Sequence, residues 1–115
     1  MLLFPNESYG GNIEYKLHLK YVNNNKYEKY STQLKYRILE GRGTAIYIIG
    51  IHDNGYVIGI NKSEIDNTIK KFNYICNNVN CSIKTILYCK NNKKNFLIIK
   101  VVANFDINSI PFYIY

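Results

Sequence analysis

The side chains of this sequence that are equipped for chemistry are few and widely spaced. His18 falls on the polar side of the alternating run Glu14-Tyr15-Lys16-Leu17-His18-Leu19-Lys20, and His52 lies in the turn His52-Asp53-Asn54-Gly55. Neither has a nucleophile at a spacing that would build a relay with it, and both read as surface histidines. Glu14 and Glu40 are the carboxylates that a nuclease could pair, but nothing in the sequence brings them within reach of each other. Cys76, Cys81 and Cys89 match no zinc spacing and make no even disulfide set, so they read as free thiols in a reducing compartment. No Gly-x-x-x-x-Gly-Lys-Ser/Thr phosphate loop occurs, and Asn61-Lys62-Ser63-Glu64 lacks the aspartate of a guanine-reading Asn-Lys-x-Asp. The chain is therefore expected to be no enzyme and to hold no cofactor, nucleotide or metal.

Binding chemistry is better represented. Gly41-Arg42-Gly43 sets a fixed positive charge between two residues with permissive backbones. A guanidinium in that setting suits the capture of phosphate. Fifteen Lys and Arg face eight Asp and Glu, a net charge of +7 that calls for an acidic partner, with RNA the first candidate. Twelve tyrosines add flat faces on which bases stack. Asn, Ile, Lys and Tyr all have A/T-rich codons, so genome bias supplies part of the same signal.

These groups need a scaffold. A length of 115 residues with 47% hydrophobic residues fits one domain with a two-layer core. The sequence carries no apolar run long enough to span a membrane and no secretory signal at its start, so a cytoplasmic monomer is expected. Residues 13–21 alternate as a half-buried strand, with Ile13, Tyr15, Leu17, Leu19 and Tyr21 inward and Glu14, Lys16, His18 and Lys20 on an open, wet face. Tyr27, Tyr30, Leu34 and Ile38 stripe a helix over residues 26–40, which Gly41 and Gly43 stop. A hairpin of residues 45–51 and 56–60 follows. Asn61 or Ser63 caps a second helix carrying Ile65, Ile69, Phe72 and Cys76, and two more strands span 81–89 and 96–103.

The order β-α-β-β-α-β(-β) predicts an α+β domain, ferredoxin-like, with two helices on one face of an antiparallel sheet. Residues 1–12 read as an N-terminal extension, 13–103 as the domain and 104–115 as an aromatic tail. In that topology one edge gathers Arg42, Lys62, Lys90, Lys93, Lys94 and the positive end of the second helix, a ready phosphate site. The contact residues expected for RNA are Gly41, Arg42, Gly43, Lys16, Lys20, Arg37, Lys62, Lys93 and Lys94, with Tyr113 and Tyr115 in the tail.

Three segments, Glu14-Tyr15-Lys16-Leu17, residues 33–43 and residues 45–55, resemble the N-terminal domain of eukaryotic elongation-factor-like GTP-binding proteins over about residues 11–86. The chain departs from those proteins in lacking their GTPase domains. In a free-standing form it is similar to microsporidian ribosome dormancy factors. That resemblance implies a ribosome-bound protein, touching rRNA and ribosomal proteins near the exit (E) site, that excludes tRNA and keeps the ribosome idle. Ile49-Gly50-Ile51-x-Asp53-Asn54-Gly55-x-x-x-Gly59, with Glu14 and Lys16 upstream, also resembles Schlafen-type RNA-cleaving domains. A general RNA- or protein-interaction module is the third alternative.

Overall fold

The computed structural model describes residues 4–109. Four strands and two helices follow in the order β1 (Ile13–Lys16), α1 (Asn24–Glu40), β2 (Thr44–Ile49), α2 (Ile65–Asn78), β3 (Cys81–Asn91) and β4 (Lys94–Ala103). Sheet order is β1-β2-β4-β3. The α+β class is as expected, and both helices pack on one face of the sheet.

The antiparallel, ferredoxin-like pairing is corrected. β1 and β2 lie side by side in parallel, Ile13 opposite Ile46, while β2–β4 and β4–β3 are antiparallel. The reason lies in residues 50–60, where no return strand forms. Gly50, Gly55 and Gly59 take φ of 108°, 94° and 94°, and the segment coils back on itself through Ile58 and Gly59 amides donating to the Gly50 carbonyl. It keeps only isolated bridges, Ile51 to Val57 and Ile60 to Asn95. The loop therefore ends at the same end of the sheet where it began, and α2 starts there.

Helix α1 begins where the Asn23 side chain accepts from the Lys26 amide at 2.9 Å, an ordinary N-cap. It ends in a Schellman motif: Gly43 N–H donates to the Ile38 carbonyl and Arg42 N–H to the Leu39 carbonyl. Helix α2 follows a single 3-10 turn, Lys62–Glu64, and neither Asn61 nor Ser63 caps it; Glu64 stands at its N-cap without a side-chain bond. The basic turn expected over residues 90–95 tightens to Asn92-Lys93, with φ of 49° and 65°, the type I′ geometry of two-residue hairpins. β3 forms an outer edge of the sheet and carries a bulge between Ile83 and Thr85.

Apolar residues divide between the two faces. Leu34 and Ile38 of α1 and Phe72, Ile75 and Cys76 of α2 close over Ala45, Tyr47, Ile49, Leu97, Ile99 and Val101. On the other face Tyr15, Ile48, Ile51, Val57 and Phe96 make a smaller core, joined by Phe4. Residues 4–12, expected as an extension, thus lie against the sheet. Phe105 and Ile107 of the expected tail pack on the main core; Tyr113 and Tyr115 fall outside the described residues. Among the described residues no helix is long and apolar enough to cross a membrane.

The Tyr47 hydroxyl is buried without a hydrogen-bond partner among the described residues, its ring 4.7 Å from that of Phe72. Removing a buried orphan hydroxyl relieves a desolvation cost of about 1–3 kcal/mol. Tyr47→Phe is accordingly expected to raise unfolding free energy by about 1 kcal/mol in urea melts; a loss of stability would show that the hydroxyl is satisfied.

Candidate nucleic-acid interface

Strand register fixes which basic residues can act together. Thr44 pairs with Val102 and Cys81 with Ala103 at one end, whereas Ile49 pairs with Leu97 and Asn91 with Lys94 at the other. Arg42 precedes β2 and so belongs to the first end. Lys62, Lys90, Lys93 and Lys94 all belong to the second, with the N-termini of both helices. The single basic edge expected from the sequence is therefore split in two. Six residues of β2 at about 3.3 Å each put the ends about 20 Å apart.

The second end is a dense basic pole. Lys20 lies there in the loop between β1 and α1, and a cleft of about 180 Å3 joins it to Ile58, Gly59, Ile60 and Asn61. Lys94 abuts Gly59, where an added Cβ would come within 3.0 Å of the lysine's own Cβ. Burial, followed by the charges of Lys20, Lys26 and Lys71, holds the His18 imidazole below its ordinary pKa. The three lysine charges push in the same direction as burial, which is the larger cause. Lys62, Lys93 and Lys94 are exposed and Lys20 is half-buried.

Arg42 is exposed at the opposite pole, in the left-handed region at φ 54°. It occupies the Schellman position that glycine usually takes. Tyr21 at φ 57° and Lys93 at φ 65° share that conformation, which costs about 1–2 kcal/mol for residues bearing a Cβ. The fold itself requires Gly41: a Cβ there would fall 1.8 Å from the Thr44 carbonyl oxygen. At Gly43 the space beside the backbone is open.

Two expected contacts turn inward. Arg37 is 4% exposed. Its Nε donates to Glu14 Oε1 at 3.0 Å, Nη2 donates to the Ser8 carbonyl, and Nη1 to those of Tyr9, Gly10 and Gly11. Its place between Leu34 and Ile38 on the buried stripe was the available signal. Lys16 donates to Gln33 Oε1 at 2.6 Å and sits 4.2 Å over the Tyr30 ring. Burial pulls its pKa down while Glu14 and Glu7 oppose the shift. The face of β1 read as open is thus covered by α1, because the Arg37 guanidinium draws Glu14 under the helix; Tyr15, on the reverse face, fills the smaller core.

Sequence reasoning missed Glu7, which supplies the carboxylate beside Glu14 that Glu40 was considered for. Glu7 Oε2 accepts from the Tyr15 amide at 2.5 Å and lies 4.0 Å from Arg37 Nη2. Glu7, Glu14 and Asp53 share a cleft of about 410 Å3 with Arg37. Burial and then a hydrogen bond with Glu14 push the Glu7 carboxyl up to about 7. Glu40 instead accepts from Gly11 N–H and Tyr36 hydroxyl. Among the described residues no cluster of three His, Cys, Asp or Glu is arranged to hold a metal. Burial raises the Cys76 thiol to about 12 and Cys81 to about 11, which makes both poor nucleophiles.

Known proteins place this fold in context. The chain is 38% identical over 82 residues to GTP-binding protein 2 of Homo sapiens and of Mus musculus, a match covering 71% of this chain and 14% of theirs. It carries a GTP-binding-protein-like domain. An uncharacterized protein of Acanthamoeba polyphaga mimivirus is 36% identical over 87 residues, 75% of this chain and 47% of the viral one. The chain thus spans about one seventh of the length of the mammalian relatives. It matches no protein-family description.

Two arginines five residues apart should behave oppositely. Arg37→Ala strands Glu14 under α1, and breaking such a buried pair costs about 3–5 kcal/mol. Arg42→Gly relieves the left-handed backbone and should leave the melting temperature at or above that of the native chain. Similar losses in both variants would mean that Arg42 is also a structural residue.

Glu7 should leave a pH signature. Its folded pKa of about 7 exceeds the ordinary 4.5, so its contribution is full below 4.5 and fades as pH rises through 7. Between about pH 5 and about pH 8, Glu7→Gln should flatten part of the native fall in melting temperature. Equal slopes in the two proteins would remove Glu7 as its source.

Proposed function

We propose that this chain is a non-catalytic dormancy factor of the cytoplasmic ribosome, lodged at the exit site, where it excludes deacylated tRNA and keeps the ribosome inactive. The observation that carries the reading is the group of lysines at one end of the sheet with Arg42 exposed at the other, about 20 Å away. A body that replaces tRNA must meet rRNA phosphates on more than one side, and this arrangement supplies charge at both ends without a catalytic group. The exit-site placement comes from the resemblance to dormancy factors. GTP-binding protein 2 is named for its nucleotide; this chain, whose sequence has no phosphate loop, is proposed to need none.

A second reading, Schlafen-type RNA cleavage, draws on the cleft shared by Glu7, Glu14 and Asp53. Cleavage of rRNA by the purified chain, lost in Glu7→Gln, would favour it.

The purified protein is expected to pellet with 80S ribosomes without GTP, and to be released steeply as salt rises, since phosphate contacts dominate such binding. Preloading the ribosomes with deacylated tRNA should lower the bound fraction. Arg42→Gly should weaken binding by about 1.5–3 kcal/mol, the worth of a charge-assisted contact. A strict need for GTP, or full occupancy alongside exit-site tRNA, would sink the proposal.

A further inference from the structure

Tyr21 has no role in the contacts described so far. The residue is 82% exposed, and the aromatic ring beside it is that of His18, edge-on at 6.3 Å between centroids. Packing therefore does not account for an aromatic residue in a left-handed position where glycine or asparagine sits without strain. One residue back, Lys20 lines the 180 Å3 cleft together with Leu17, His18, Ile58, Ile60 and Asn61. Its walls mix hydrocarbon with groups able to read an edge. His18 Nδ1 accepts from the Lys20 amide at 3.1 Å, so in the neutral ring Nε2 carries the proton and donates. The Asn61 side chain does not cap the turn it precedes, which leaves an amide that can both donate and accept. Lys20 and Lys26 act on His18 from close by, and Lys94 closes the far side at Gly59. Lys71 holds the loop in place by donating to the Leu19 carbonyl at 3.0 Å.

We propose that this cleft seats one unpaired nucleotide of an RNA strand, its base stacked on Tyr21 with an edge toward His18 and Asn61, its phosphates at Lys20, Lys26 and Lys94. The inference rests on the RNA-binding reading above and names the kind of RNA. A base stacked within a duplex has no face to offer an isolated ring, whereas a splayed base in a loop or at an end does.

The test measures fluorescence polarisation of the full chain with a fluorescein-labelled oligouridylate and with an RNA duplex of equal length. Tyr21→Gly suits the left-handed backbone and should melt no lower than the native chain; Tyr21→Asn is the second variant with the same tolerance. Either should weaken binding to the single strand roughly tenfold or more and leave duplex binding within about twofold, while Tyr21→Phe keeps both. Unchanged single-strand affinity in Tyr21→Gly, or equal losses on the two RNAs, overturns the nucleotide seat and leaves charge-driven RNA binding standing. A native chain that binds neither RNA overturns the seat and the RNA-binding reading together.

Discussion

The fold depends on one buried guanidinium. Arg37 reaches from the last turns of α1 to Glu14 on β1 and to four successive carbonyls of residues 8–11. Edge strand β1 is four residues long and pairs on one side alone. Its ladder with β2 is too short to fix it firmly, so the side-chain network does much of that work. Nη1 and Nη2 of the same guanidinium hold the N-terminal segment, where Phe4 completes the smaller core and the Phe4 amide donates to the Gly55 carbonyl. Helix, edge strand and loop 50–60 are thereby referred to a single cation.

From that arrangement the polarity of the molecule follows. Because β1 and β2 are parallel neighbours, α1 must run back across them, and its positive end returns to the carboxyl ends of both strands. Loop 50–60 coils at that same end, so α2 starts there as well. Two helix dipoles and the lysines around residues 18–26 and 59–62 converge at that end. Arg42 stands at the opposite pole, where the helices end and the dipole favours a cation.

Much of this was legible in the residues. The α1 stripe of Leu34 and Ile38, the α2 stripe of Phe72 and Cys76, and the strands around Ile86 and Ile99 all follow periodicity. What misled was local and physical. Residues 56–60 alternate like a strand, yet three glycines with positive φ release the backbone from that pattern. Strict alternation through residues 13–21 assigned Glu14 and Lys16 to water, because periodicity cannot register that a buried arginine makes a carboxylate welcome inside. Arg37 itself was taken for a surface charge, since charge is read more readily than stripe position. Arg42, Lys62, Lys90, Lys93 and Lys94 were expected at one edge, but their grouping turned on residues 56–60 running back as a strand, and without that return Lys62 and the Asn92-Lys93 turn fall at the opposite end from Arg42.

The bulge at Ile83 and Thr85 has its own consequence for how copies of the protein meet. β3 runs for eleven residues at an outer edge of the sheet, a length that invites another chain to add itself strand by strand. The extra residue, Lys84, breaks the even spacing of amides and carbonyls and twists the edge where it would otherwise lie flat. Exposed Lys84 and Lys90 bracket the apolar stretch around Leu87 and Tyr88, so two such edges brought together would set like charges against each other. Crowded molecules are thus discouraged from zipping into shared sheets, and a surface rich in tyrosine and isoleucine stays compatible with a dispersed protein.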